Sequence, residues 1–133
     1  PMKRVGVQFS AEEEKPLVMW AWVAKTPEQR GRGFQGVCPG LVTERSLLFV
    51  FPAPVKANFH MSGVALPLDI VFIDVFRQVI NIQRIALQES DRSTTYYRSD
   101  TVFQFVLETA AGRLDQLRRN PRLWRMRVSN RNQ

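Results

Sequence analysis

The chain has 133 residues and a formal charge of +7, with 44% hydrophobic, 11% aromatic and 23% charged residues. That is the length of one domain able to bury its own core, and this apolar content excludes a disordered polypeptide. No apolar run approaches the roughly 20 residues that cross a bilayer as a helix, so the sequence reads as soluble, with no membrane partner.

The basic charge is carried mainly by arginine, with fifteen arginines against four lysines. Arginine makes planar, two-pronged contacts with carboxylate and phosphate, so the bias fits ion-paired protein interfaces, nucleic-acid contact or merely a compositional habit. Cys38 is the only cysteine and His60 the only histidine. An intramolecular disulfide is excluded, a structural metal lacks ligands, and no cofactor is expected. Residues Pro1 to Val5 carry no apolar leader segment, which gives an expected location in a virion or the cytoplasm.

Along the chain, Val5 to Phe9 alternates and reads as a strand ended by Glu12-Glu13-Glu14 and Pro16. Leu17 to Ala24 follows as a strand apolar on both faces, with Val18, Trp20 and Trp22 on one side and Leu17, Met19, Ala21 and Val23 on the other. Such a strand is expected at the centre of a packed sheet or under a partner. Thr26-Pro27-Glu28-Gln29 has a capping threonine, a first-turn proline and a glutamine three residues on, the pattern of a helix start. Gly31, Gly33 and Gly36 limit that helix to a few residues, ending near Phe34.

A loop with Pro39-Gly40 is expected from Cys38 to Arg45, then a strand Leu47 to Phe51 closed by Pro52 and Pro54. Ala57 to Met61 reads as another strand, and Asp69 to Asp74 with Gln78 to Ile85 as a hairpin around Val75 to Arg77. Glu89 to Asp100 is polar and reads as a loop bearing Tyr96 and Tyr97. Thr101 to Glu108 turns Phe103, Phe105 and Leu107 toward the core. A helix from about Ala110 to Arg118 and a last strand Leu123 to Val128 complete the pattern.

Eight or so short strands, two brief helices and no βαβ rhythm predict an all-β fold, a small closed or partly open antiparallel barrel or sandwich. The expected organisation is one domain: strand and acidic linker over 1–16, barrel core over 17–128, tail over 129–133. The sequence contains no nucleophile elbow, Walker loop, dinucleotide fingerprint or zinc helix. Asp69 and Asp74 point to opposite faces of one strand and make no carboxylate dyad within it. The expectation is therefore that the chain is not an enzyme.

Three blocks, Leu48 to Pro52, Phe59 to Val64 and Pro67 to Asp74, resemble in order and spacing the core of a family known as domain of unknown function 192. Pro27 to Gly33 and Phe105 to Glu108 with Ala111-Gly112 extend the resemblance over roughly 17 to 128. It implies a compact barrel-like fold with short flanking helices. The family's middle block usually reads Phe-Trp-Met-Lys-Asn-Thr, and its three polar residues, the family's best candidate ligand groups, are here Ser62, Gly63 and Val64. Its Asp-Gly hairpin turn is here Phe76-Arg77.

Three functional expectations follow. The first is a non-catalytic interaction or structural module, an accessory or decoration subunit of a larger assembly such as a phage virion. Its contacts with other protein subunits would run through Phe76, Arg77, Tyr96, Tyr97, Arg122, Arg125 and Arg127, because aromatic and arginine residues dominate interface hot spots. The second, implied by the resemblance, is a small-ligand site near Phe59, Met61, Pro67 and Asp69. The third is nucleic-acid binding through the arginine-rich carboxyl end, whose last strand puts Arg125 and Arg127 on one face and Trp124, Met126 and Val128 on the other.

Overall fold

The computed structural model describes residues 2–32, 46–56, 59–60, 67–85, 96–97, 99 and 101–130. In chain order its elements are β1 (Lys3–Ser10), β2 (Leu17–Ala24), α1 (Pro27–Arg32), β3 (Ser46–Val55), β4 (Phe59–His60), β5 (Leu68–Ile73), β6 (Val79–Ile85), β7 (Tyr96–Tyr97), β8 (Phe103–Ala110), α2 (Asp115–Arg118), a 3-10 turn (Pro121–Leu123) and β9 (Arg125–Ser129). Seven strands form one sheet in the order β6-β5-β8-β3-β2-β1-β9, while β4 and β7 pair separately. The expected β-rich, barrel-like architecture is the one that forms.

The sheet curls until its two edge strands touch at one end. Gln78, just before β6, bridges to Arg125 of β9. Alongside it Val79 N–H donates to the Trp124 carbonyl at 3.0 Å and Met126 N–H to the Arg77 carbonyl at 2.8 Å. Inside the curl lies one core that joins Val5, Val7 and Phe9 of β1 to Val71, Ile73, Val79, Phe105, Leu107 and Met126, with Leu114, Leu117 and Trp124 filling it from the carboxyl-terminal turns. The outer face of β3, β8 and β5 is buried as well, in a second cluster built on Leu47, Phe49, Leu68, Ile70, Phe72, Phe103 and Val106. At about 25 cal/mol per Å² of apolar surface, these two layers are the main source of stability.

Local chemistry explains the elements. Thr26 Oγ1 accepts from Gln29 N–H at 3.1 Å while Gln29 Oε1 accepts from Thr26 N–H at 3.2 Å, a reciprocal cap that starts α1 where the sequence placed it. Contrary to expectation, β3 does not end at Pro52. It runs to Val55, and its ladder to β8 breaks between Val50 and Val55, so neither Pro52 nor Pro54 is asked for an N–H it lacks. The helix expected from Ala110 shrinks to Asp115–Arg118, because Gly112 at φ +101 turns the chain first.

Two further departures concern pairing. β2 and β3 run parallel, with α1 in the connection between them, so one β-α-β step stands in an otherwise antiparallel sheet. In the polar stretch read as a loop, Tyr96–Tyr97 forms β7 against Phe59–His60. The doubly apolar β2 is covered on both sides only at its far end, where Ala24 is buried and Trp22 packs against the second cluster; earlier in the strand Met19 and Ala21 are buried, whereas Val18 is 66% and Trp20 42% exposed. Partial cover comes from Arg4, whose guanidinium sits 4.6 Å above the Trp20 ring. The loop expected over Cys38 to Arg45 and the block Ser62, Gly63 and Val64 lie outside the described residues.

Candidate functional site

The hairpin joining β5 to β6 is built around Asp74. Its backbone N–H donates to the Gln78 carbonyl at 2.9 Å, and its Oδ1 accepts from both Phe76 N–H and Gln78 N–H, each at 2.9 Å. Three residues remain for the loop, Val75, Phe76 and Arg77, and the last takes φ +70. This is the left-handed position that a three-residue hairpin turn reserves for glycine or asparagine. Arginine occupies it because its neighbours fix it on both sides. Its carbonyl is bound by Met126 N–H, and its guanidinium lies 4.5 Å over the Phe105 ring.

The turn also fixes its surroundings. Arg125 Nη2 donates to the Phe76 carbonyl at 2.9 Å, and the Gln78 amide donates to the carbonyls of Trp124, at 3.0 Å, and Arg122. The 3-10 turn is thereby held beside the hairpin. Phe76 is 73% exposed, Val75 47% and Leu123 61%. The result is an exposed apolar tip with Arg125 bound to its backbone and the turn carrying Arg122 and Leu123 held beside it. Four of the seven residues singled out for partner contact, Phe76, Arg77, Arg122 and Arg125, are brought to this one end of the molecule.

The other three lie apart from it. Arg127 is exposed farther along β9, opposite Gln8, on the outer face that also carries Val18 and Trp20. Tyr96 and Tyr97 pair through their backbones with His60 and Phe59.

Of the residues expected to line a ligand site, Met61 lies outside the described residues and Phe59 is placed by its backbone alone. Pro67 is exposed and its carbonyl accepts from Ala111 N–H at 3.2 Å. Asp69 is fully buried, yet its oxygens are engaged by the protein itself. Arg84 binds both of them, Nε to Oδ1 at 2.8 Å and Nη2 to Oδ2 at 3.1 Å, and Gly112 N–H adds a third bond at 3.0 Å. Arg84 also reaches Asp115 at 2.6 Å, and this contact holds the Asp115 carboxyl below the usual carboxylate range, while Arg84 itself is pushed up by its hydrogen bonds to Asp69 first and to Asp115 second. The cluster staples β5, β6 and the turn before α2. Beside it Ser46 Oγ donates to Thr109 Oγ1 at 2.8 Å.

One acidic residue was not singled out by the sequence reading. Glu108 lies on the opposite face of β8 from Phe105 and Leu107, directly between Leu47 of β3 and Ile70 of β5. It is 7% exposed, and burial alone pushes its carboxyl up to about 8. The signal available in sequence was parity: a strand buried on both faces must also bury its even positions. Among the described residues no group of three His, Cys, Asp or Glu side chains is placed to hold a metal ion, and no helix is long and apolar enough to cross a membrane.

A family model known as DUF192, an uncharacterized group, matches residues 8–121. The chain belongs to the DUF192 family. Its fold is similar to that of a proposed transcription regulator from Sinorhizobium meliloti 1021, with a TM-score of 0.82 at 21% identity over 96% of this chain and 95% of that one. A protein of unknown function from Novosphingobium aromaticivorans is similar too, with a TM-score of 0.79 at 23% identity over 93% of this chain and 84% of that one. At such identities the likeness is one of fold. No protein of curated function matches the chain.

Proposed function

We propose that this DUF192 protein is a non-catalytic interaction module whose contact surface is the β5–β6 hairpin tip together with the adjoining 3-10 turn. The observation that carries the reading is the 73% exposure of Phe76 on a backbone held by Asp74, Arg125 and Met126. A large apolar side chain on a turn that cannot fold back is already arranged for docking, so little ordering entropy stands against binding. Arg77, Arg122 and Arg125 at the same end favour a partner with an apolar pocket and an acidic rim. A place in a larger assembly, with a phage virion as one case, is the finer form of the proposal.

Photo-crosslinking from position 76 in the native host, with position 56 as an exposed control, tests this directly. A discrete protein adduct from position 76 that disappears with Arg122→Glu is the expected result. Adducts equal at both positions, from a chain that sediments as a monomer, would end the proposal.

A second reading concerns nucleic acid. Arg127, Val18 and Trp20 with its overlying Arg4 share one outer face, which combines basic and aromatic groups. Binding there would weaken steeply with added salt.

A further inference from the structure

Glu108 is a charge-bearing side chain placed in the middle of an apolar surface. The row that crosses the sheet through it runs Arg4, Trp22, Leu47, Glu108, Ile70, Gln83, each paired with the next across adjacent strands. The parallel row beside it is Ala24, Phe49, Val106, Phe72, Asn81. On its own strand the same-face neighbours are Val106 and Ala110. Among the described residues nothing donates a hydrogen bond to its carboxyl. Every other buried acid-base group of the described sheet has a partner in the protein: Asp69 has Arg84 and Gly112.

Among the described residues no charged group acts on this carboxyl, whose shift has burial as its one cause. Asp69 and Arg84 occupy the other face of β5 and β6, and Arg4 stands three strands away, roughly 14 Å at about 4.8 Å per strand. Arg30 of α1 is committed to the Val50 and Lys25 carbonyls and to the Phe51 ring, 4.8 Å away. A carboxyl in this setting costs stability, and no described residue compensates it. Such groups concentrate at functional sites.

We infer that Glu108 is the receptor for a primary ammonium group carried on an aliphatic stem. The chemistry of the surroundings selects that ligand. An ammonium brings three donors and cancels the carboxylate charge, while among the described residues the stem has Leu47, Ile70, Val106 and Ala110 to lie against. A sugar or nucleobase would leave its remaining polar groups unmatched on those side chains. An anion would meet the carboxyl with no cation near it among the described residues. The residue keeps 7% of its surface exposed, and the next same-face residue toward the surface is the half-buried Ala110, the smallest side chain available there. This inference stands apart from the hairpin-tip surface, which lies at the other end of the sheet's strands.

Binding is coupled to a proton. The empty site holds a neutral acid at pH 7, and an arriving ammonium displaces the acid's proton to solvent as the carboxylate–ammonium pair forms. Calorimetric titration of the intact protein with n-butylammonium, at pH 6, 7, 8 and 9 and in two buffers, reads this out. Affinity is expected to rise about tenfold per pH unit from 6 to 8 and to level above 8, with close to one proton released at pH 6. Glu108→Gln should bind the amine at least tenfold more weakly at pH 8 and without pH dependence.

Nα-acetyl-lysine methylamide serves as a second probe. Binding of it as well points to a lysine side chain of a protein as the source, and binding of n-butylammonium alone to a free amine. Failure of both amines to bind overturns the inference, as does equal affinity for neutral n-butanol or unchanged amine binding by Glu108→Gln. Failure here leaves the crosslinking result from position 76 unaffected, so the two proposals fall separately.

Discussion

Asp69 and Arg84 stand directly opposite one another on β5 and β6 and join in a two-pronged ion pair, at 2.8 and 3.1 Å, with the carboxylate fully buried and the guanidinium side chain 37% exposed. The asymmetry decides which half matters more. Removing the arginine leaves a buried carboxylate with one backbone donor, whereas removing the carboxylate leaves an arginine that can turn to water and to Asp115. Arg84→Ala should therefore destabilise more than Asp69→Asn does, because it strands a buried carboxylate. The double variant Arg84→Ala with Asp69→Asn should recover part of that loss in urea denaturation. Equal or additive losses would show that the pair is not coupled.

How far such features were legible in the chain differs between the two faces of the sheet. Period-2 alternation placed β1, β8 and β9 to within a few residues, a run apolar on both faces placed β2, the hairpin pattern placed β5 and β6, and the threonine–glutamine cap placed α1. Sequence could not foresee that β3 continues through Pro52 and Pro54, because only the register break against β8 makes those prolines harmless. Nor could it foresee the parallel β2–β3 pair, which depends on where the chain returns after α1. For the site, a phenylalanine at a hairpin tip was visible as an anomaly, but its proximity to Arg122 and Leu123 is a long-range effect of the Gln78–Arg125 bridge. In sequence Glu108 merely ends a strand, since its burial is set by neighbours on β3 and β5.

Phe76 should contribute to contacts and not to folding. At 73% exposure its truncation removes almost no buried area, so Phe76→Ser and Leu123→Ser are each expected to change stability by less than about 0.5 kcal/mol. Both should reduce affinity for the partner captured from position 76 at least tenfold, in keeping with an aromatic anchor. A Phe76→Ser protein that unfolds readily would mean that the ring supports the hairpin.

Arg77 sets two effects of similar size against each other. Its φ of +70 costs a side-chain-bearing residue roughly 1–2 kcal/mol, whereas its guanidinium over Phe105 returns about 0.5–1 kcal/mol. Alanine keeps the strain and loses the ring contact; glycine loses both. Thermal unfolding should therefore rank Arg77→Gly above Arg77→Ala by about 1 kcal/mol, with the arginine between them or level with glycine. Alanine ranking highest would show that the left-handed turn is not maintained in solution.

Glu108 makes the stability of the whole fold depend on pH in an unusual sense. Its folded value of about 8 lies above the ordinary 4.5, so the unfolded chain releases the proton first. Stability is then full below about pH 4.5, falls as pH rises, and levels once the folded carboxyl ionises near 8. At pH 7 the cost is on the order of 3 kcal/mol, at 1.36 kcal/mol for each pH unit of separation. Glu108→Gln keeps the shape and removes the titration, so it should raise stability at pH 7 by a few kcal/mol while leaving it nearly unchanged at pH 4.5. Urea denaturation of both proteins at pH 4.5, 6, 7 and 8 supplies the comparison. The difference should widen steadily with pH; curves that run parallel would place an ordinary, solvated carboxylate at this position and remove the basis for a proton-coupled ammonium site.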